Sequence, residues 1–138
     1  MDFKKKIIQL SAKNWLLLDG LGAIVTAIMC QVVARLEPIF GMPVEVMMVL
    51  FSLALCFAVF SFSSYLFVKT NHKKHLCIIL TANATYCIAT FVLAAIHFEK
   101  LTGFGIAYFA GEILIVAVIV YSEYTKVTTS GVKKKCRL

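Results

Sequence analysis

The sequence predicts an all-α, polytopic membrane protein whose four transmembrane helices form an up-down antiparallel bundle. Hydrophobic residues make up 61% of the 138 residues and charged residues only 15%, whereas a soluble domain is about half apolar and about a quarter charged. A soluble chain of this length has too small a core to bury so much apolar surface. In addition, the chain contains four successive windows of about 20 apolar residues, the length that spans a bilayer.

The windows and their polar breaks divide the chain into a basic N-terminal flank (1–13), a transmembrane domain (14–125) and a basic tail (126–138). The tail is polar enough to be predicted as disordered. Within the domain, the predicted spans cover about residues 15–34, 46–68, 76–96 and 104–121.

The three connections between the spans are short and carry helix-terminating residues. Pro43 suits the first turn of the second helix, where its missing N–H is not needed. Thr102 suits the N-cap of the fourth helix, because its hydroxyl can accept a hydrogen bond from a backbone N–H of the first turn. Short connections make consecutive helices antiparallel neighbours.

The distribution of basic residues predicts the orientation of the bundle. Twelve of the fourteen Lys and Arg residues fall in the N-terminal flank, the second connection and the C-terminal tail, whereas only Arg35 and Lys100 fall on the opposite side. Because cytoplasmic flanks carry the excess of Lys and Arg, both termini are predicted to be cytoplasmic. The net charge of +7 therefore belongs to membrane flanks, and the expected partner is the lipid bilayer, with no nucleic acid.

Two acidic residues lie inside the predicted spans, where an ionisable group is expensive and marks a functional candidate. Glu112 lies about eleven residues into the fourth window, near the middle of the bilayer at 1.5 Å per residue. Asp19 lies about one turn inside Trp15, closer to the membrane surface. Each carboxyl group either serves function, by carrying a proton or a cation, or joins helices through hydrogen bonds. For Glu112, Tyr108 is the expected partner because it lies one helical turn away.

Helical spacing predicts that polar residues of three spans face one another inside the bundle, because lipid offers them no hydrogen-bond partners. The predicted intramembrane cluster comprises Asp19, Asn83, Tyr86, Tyr108 and Glu112. Gly22 lies on the Asp19 face of the first helix. Small residues also recur at four-residue spacing in the fourth helix, and they are expected to let another helix of this chain or of a partner approach closely. These helix-packing residues are Gly103, Ala107 and Gly111.

The second span is dominated by aromatic residues, including Phe51, Phe57 and Phe60, together with several serines. No acidic or basic side chain interrupts it. We therefore expect the second helix to be the one that most faces lipid or a partner.

Four segments carry a resemblance to a known group of proteins. They are the run Asn14-Trp15-Leu16-Leu17-Leu18-Asp19-Gly20-Leu21-Gly22-Ala23, the run Phe40-Gly41-Met42-Pro43, Asn83 with Tyr86-Cys87, and Tyr108-Phe109 with Glu112. With these segments the chain resembles a group of small four-helix proteins of the bacterial inner membrane, which brings no activity, substrate or cofactor with it. Small multidrug transporters are similar in architecture alone, because the motif around their membrane carboxylate is missing here.

The pattern leaves two main functional interpretations. In the first, a non-enzymatic protein acts through helix–helix interaction as a subunit or modulator, with a membrane-protein partner or as a homodimer. In the second, a small proton- or cation-coupled transporter or channel uses Glu112 and Asp19. A lipid-modifying or redox enzyme is disfavoured because no catalytic constellation appears, and no cofactor or metal site is predicted.

Overall fold

The computed structural model describes the backbone of residues 2–67, 69 and 72–129 and the side chains of residues 13–67, 69 and 74–125. The protein is all-helical over these residues. Its elements are α1 (Asp2–Arg35), α2 (Glu37–Phe40), α3 (Val44–Phe67), α4 (His72–Ile96) and α5 (Gly103–Thr129).

Four of the helices contain a segment that is long and apolar enough to cross a membrane. At 1.5 Å per residue, each segment of 23 or 24 residues is about 35 Å long, enough to cross a hydrocarbon core of about 30 Å. The prediction of four helices able to span a bilayer is confirmed. The segments are Lys13–Arg35, Val44–Phe67, Lys74–Ile96 and Gly103–Thr125.

Helical structure extends beyond the predicted first and fourth spans at both ends of the chain. The backbone of the basic N-terminal flank is helical from Asp2 and continues without a break into the first span. At the other end, α5 continues to Thr129, so the first residues of the predicted tail belong to a helix. The rest of that tail, residues 130–138, lies outside the described residues.

A hydrogen bond and close backbone packing join the short helix α2 to the α4–α5 connection. The Thr102 hydroxyl caps α5, accepting the Gly105 N–H at 3.2 Å, and it also donates to the Ile39 carbonyl. Gly41 ends α2 with φ of +78°, a conformation that costs little only for glycine. A Cβ on Gly41 would also collide with the Lys100 carbonyl oxygen. Thr102 therefore caps α5 as expected, and its hydroxyl also bonds to α2.

The helices pack as two pairs, and this arrangement produces the cavity described below. Helix α1 packs most extensively against α3, and α5 packs most extensively against α4, while contact between the pairs is sparser. Helices α1 and α5 hardly touch. The main core lies between α1, α3, α4 and α5, and its buried members are Cys30, Val33, Ala34, Met42, Met47, Leu50, Tyr86 and Phe109.

The expectation that the second span would be the one most facing lipid or a partner is wrong. Small and flexible side chains on one face of α3 are buried against the bundle, whereas α5 has the smallest buried share of the four spans. Small residues let α1 and α3 approach closely, and the partly buried rings of Phe51 and Phe57 pack against the main core. The buried residues of α3 are Met47, Leu50, Ala54, Ala58, Ser61 and Ser64.

Candidate functional site

A cavity of about 590 Å³ lies between α1 and α5, and its floor is formed by α3 and α4. Val25 and Ile115 line it and are 59% and 63% exposed. The cavity therefore opens to the side of the bundle, where lipid would surround it. All five members of the predicted polar cluster line this one cavity, together with mostly apolar side chains.

Asp19 forms the polar group at one end of the cavity. Ser61 of α3 donates to its Oδ2 at 2.5 Å, and Asn83 of α4 donates to its Oδ1 at 2.5 Å. Three helices therefore meet at this one carboxyl group. Asp19 is 9% exposed, so both of its hydrogen bonds are shielded from water and are correspondingly strong.

Glu112 forms the second polar group of the cavity. Its Oε1 accepts a hydrogen bond of 2.9 Å from the Tyr86 hydroxyl of α4, while its buried Oε2 has no partner among the residues that the structure describes. The Tyr86 hydroxyl also contacts the Cys30 thiol of α1 at 3.9 Å. Buried polar atoms are nearly always paired, so the unpaired oxygen marks a position where a ligand group or a water molecule belongs.

Tyr108 has a different role from the one that its spacing suggests. It lines the cavity, but its ring packs edge-on against Phe40 and Phe109, with centroids 5.7 and 5.1 Å away. The tyrosine that binds Glu112 is Tyr86, which comes from a different helix. In a straight helix a neighbour one turn away shares a face, but the direction of each side chain decides whether the two meet.

The small residues predicted for helix packing do not mark contacts between described helices of this chain. A Cβ added to Gly22, Gly103 or Gly111 would meet no described atom within 4 Å, so these residues do not bring two described helices together. Close approaches occur at Gly20, where a Cβ would lie 3.2 Å from the Phe62 ring, and at Gly105, where it would strike the Phe40 carbonyl. Ala107 is exposed and, with Gly22 and Gly111, lines the cavity.

Glu123 is a functional candidate outside the set of residues predicted from the sequence. Its side chain has no exposed surface, and neither carboxyl oxygen has a hydrogen-bond partner within the described part of the chain. The side chains of Asp19 and Asn83 act electrostatically on its carboxyl group. The fourth hydropathy window ended at Tyr121 and left Glu123 outside. The available signal was its distance of eleven residues from Glu112, which is about three helical turns and places both carboxyls on one face.

The fold and the site together define a helical, multi-pass membrane protein with an acidic cavity among its spans. Comparison with protein-family models, with curated proteins and with solved structures gives no match for this chain. The functional conclusion therefore depends on the geometry and chemistry of the cavity.

Proposed function

We propose that this protein is a small proton- or cation-coupled transporter that binds an apolar molecule bearing a positive charge in the cavity between α1 and α5. The observation that carries the proposal is that Asp19 and Glu112 line one mostly apolar cavity in which none of the described lining residues is Lys, Arg or His. Carboxyl groups without a basic partner inside a membrane attract a proton or a cationic ligand.

The size and the walls of the cavity support a ligand of drug-like size. Small-molecule sites are usually clefts of about 300 to 1,000 Å³ that combine apolar walls with a few convergent polar groups. The cavity of about 590 Å³ lies inside this range. Its exposed rim at Val25 and Ile115 favours entry from the lipid phase, so an amphipathic cation fits better than a strongly hydrated one.

An up-down arrangement with both termini in the cytoplasm belongs to this proposal. It is supported by the cross-helix contacts of Lys13 with Tyr65 and of Ser64 with His75, which join the start of the first span, the end of α3 and the start of α4. The asymmetry of Lys and Arg supports the orientation. The sequence resemblance supports the bacterial inner membrane as its location.

Binding of tetraphenylphosphonium to the purified protein in lipid nanodiscs tests the proposal. We expect saturable binding that weakens as the pH falls, because protons compete for the carboxyl groups. Glu112→Gln should weaken it by at least about tenfold, since losing one partner of a buried charge pair costs about 2 kcal/mol or more. Glu45→Gln is the matched control, because Glu45 is an exposed carboxyl in the first turn of α3.

Tetraphenylborate, which has the same shape and the opposite charge, separates electrostatic recognition from simple partition into apolar surface. The proposal requires that it bind much more weakly than the phosphonium ion. Equal binding of the two ions, or unchanged phosphonium binding in Glu112→Gln, would contradict the proposal. Uptake of the phosphonium ion into proteoliposomes, driven by a proton or Na⁺ gradient, then tests transport itself.

A second candidate function, a membrane subunit or modulator, is favoured by one observation on α5. Gly103 and Ala107 are exposed, and a Cβ on Gly103 would meet no described atom. Such a face allows a helix of another subunit to approach closely. Native mass spectrometry of the gently extracted protein should then show a second protein or a second copy in fixed ratio. Gly103→Leu should reduce that species, and a strictly monomeric protein would exclude this function.

A further inference from the structure

Glu123 is the buried ionisable group that the proposed transport cavity does not use. It lies two residues before the end of the fourth span, has no exposed surface, and has two carboxyl oxygens without any described hydrogen-bond partner. An unpaired acid in such a position is expensive to bury. Packing alone does not account for it, because an apolar side chain would fill the same space without that cost.

The position of Glu123 connects it to the Asp19 end of the cavity. Eleven residues separate it from Glu112, so the two carboxyls share one face of α5 about 16 Å apart along the axis. Asp19 and Asn83 both act electrostatically on the Glu123 carboxyl, and Asn83 donates a hydrogen bond to Asp19. The Ser61 hydroxyl approaches from α3. Side chains of four helices therefore converge there.

The groups that a cation would contact at this point offer oxygen atoms, and one of the two carboxyl groups, that of Glu123, has no described hydrogen-bond partner. Two hydrogen bonds, from Ser61 and Asn83, already stabilise the Asp19 carboxyl. Asn83 donates through its amide nitrogen, so its carbonyl oxygen keeps its acceptor capacity. Neither oxygen of Glu123 accepts a hydrogen bond from a described residue. Oxygen-only ligand sets suit hard cations, and a single unstabilised carboxyl calls for a single positive charge.

We infer that Glu123, Asp19, Asn83 and Ser61 form a binding site for a small, singly charged inorganic cation such as Na⁺, separate from the Glu112 end of the cavity. The site stands on its own geometry; only its role as the coupling-ion site rests on the proposed transport function. A cation there lies beside Asp19, which also lines the larger cavity. Occupancy of the two sites would thus be linked through one shared carboxyl.

The test is a NaCl titration of the full-length protein in nanodiscs, balanced with choline chloride to hold the ionic strength constant. Trp15 is the single tryptophan and lies one turn from Asp19, so its fluorescence reports on this end of the bundle. We expect a saturable change in Trp15 fluorescence and a saturable rise in the unfolding temperature. Glu123→Gln should weaken the apparent Na⁺ affinity by at least about tenfold, as expected for damage to a cation's ligand shell.

Two further variants keep the test decisive. Ser61→Ala removes one oxygen without changing the charge, and it should weaken Na⁺ binding even if Glu123→Gln fails to fold. Glu112→Gln should lose tetraphenylphosphonium binding while keeping the Na⁺ response. If phosphonium binding fails but the Na⁺ response is present, the transport proposal is contradicted and the cation site is not.

Three outcomes would overturn the cation site. The first is a response to choline equal to the response to Na⁺. The second is an unchanged Na⁺ affinity in both Glu123→Gln and Ser61→Ala. The third is an unfolding temperature that depends on pH but not on Na⁺, which would identify Glu123 as a carrier of a proton instead.

Discussion

At the scale of single residues, the hydrogen bond between Tyr86 and Glu112 distinguishes two tyrosines that look equivalent in the sequence. Both tyrosines line the cavity, yet only the Tyr86 hydroxyl bonds to the Glu112 carboxyl, at 2.9 Å. Tyr108 lies one turn from Glu112 on the same helix, and its hydroxyl makes no hydrogen bond to a described residue. The hydrogen bond that orients Glu112 therefore comes from α4.

We predict that Tyr86→Phe lowers the free energy of unfolding by about 0.6 to 1.5 kcal/mol, the range for an interhelical hydrogen bond. Tyr108→Phe is the matched control and should change it by less than about 0.5 kcal/mol. Reversible unfolding in mixed detergent micelles, followed by circular dichroism, measures both. Equal losses in the two variants would show that the Tyr86 hydroxyl has no special role.

The carboxyl groups of Asp19, Glu112 and Glu123 illustrate how the same chemical group takes different surroundings. Asp19 has two hydrogen-bond donors, Glu112 has one, and Glu123 has none among the described side chains. A carboxyl whose two oxygens both accept hydrogen bonds can hold helices together. An unpaired carboxyl in the membrane is instead a candidate for binding a ligand. This gradation is the reason for centring one proposed site on Glu112 and the other on Glu123, with Asp19 as the carboxyl that both sites share.

At the scale of helices, α5 has one face in close contact with the rest of the bundle and another face that is open. Gly105 lies against the Phe40 carbonyl and the Leu101 side chain, whose Cδ2 would lie 2.8 Å from an added Cβ. Gly103, only two residues earlier, has open space around it. Two glycines of the same turn thus have opposite structural requirements.

Gly105→Ala should destabilise the protein by about 1 to 3 kcal/mol, because the new methyl group forces α5 away from α2. Gly103→Ala should be neutral or stabilising by up to about 1 kcal/mol, since alanine favours a helix and meets no obstacle. Thermal unfolding of both variants in the same detergent gives the comparison. Similar unfolding temperatures for the two would contradict the described packing of α2 against α5.

At the scale of the whole molecule, pairing of α1 with α3 and of α4 with α5 leaves the gap that becomes the cavity. A bundle packed equally on all sides would have closed around its polar residues. The open side between α1 and α5 instead brings carboxyl groups next to a lipid-accessible space. The proposed function follows from this arrangement of helix pairs more than from any single residue.

The proposed orientation predicts opposite accessibility for two exposed positions, Lys69 and Glu99. In a variant without native cysteines, Glu99→Cys should react with a membrane-impermeant maleimide added to intact cells. Lys69→Cys should react only after the membrane is permeabilised, because basic connections stay in the cytoplasm. The reverse pattern would invert the orientation, and labelling of both from outside would contradict the four-span topology.

The sequence by itself determined the all-helical class, the four apolar segments, the cap at Thr102 and the polar residues that line the cavity. Hydropathy, helical period and capping are local properties, so each can be evaluated within a window of about 20 residues. Glu123 was not predicted because hydropathy falls near the end of the fourth span. The helix nevertheless continues past Tyr121, and the Glu123 side chain is buried.

Only the tertiary structure decided which side chains meet. The choice of Tyr86 over Tyr108, the burial of the Ser61 face of α3, and the open space at Gly103 and Gly111 all depend on how each helix is rotated and which helix it packs against. Rotation and pairing are set by the fit of side chains between helices. Residue spacing within one helix does not encode that fit. The contacts between helices are therefore known only from the packed structure of all four spans.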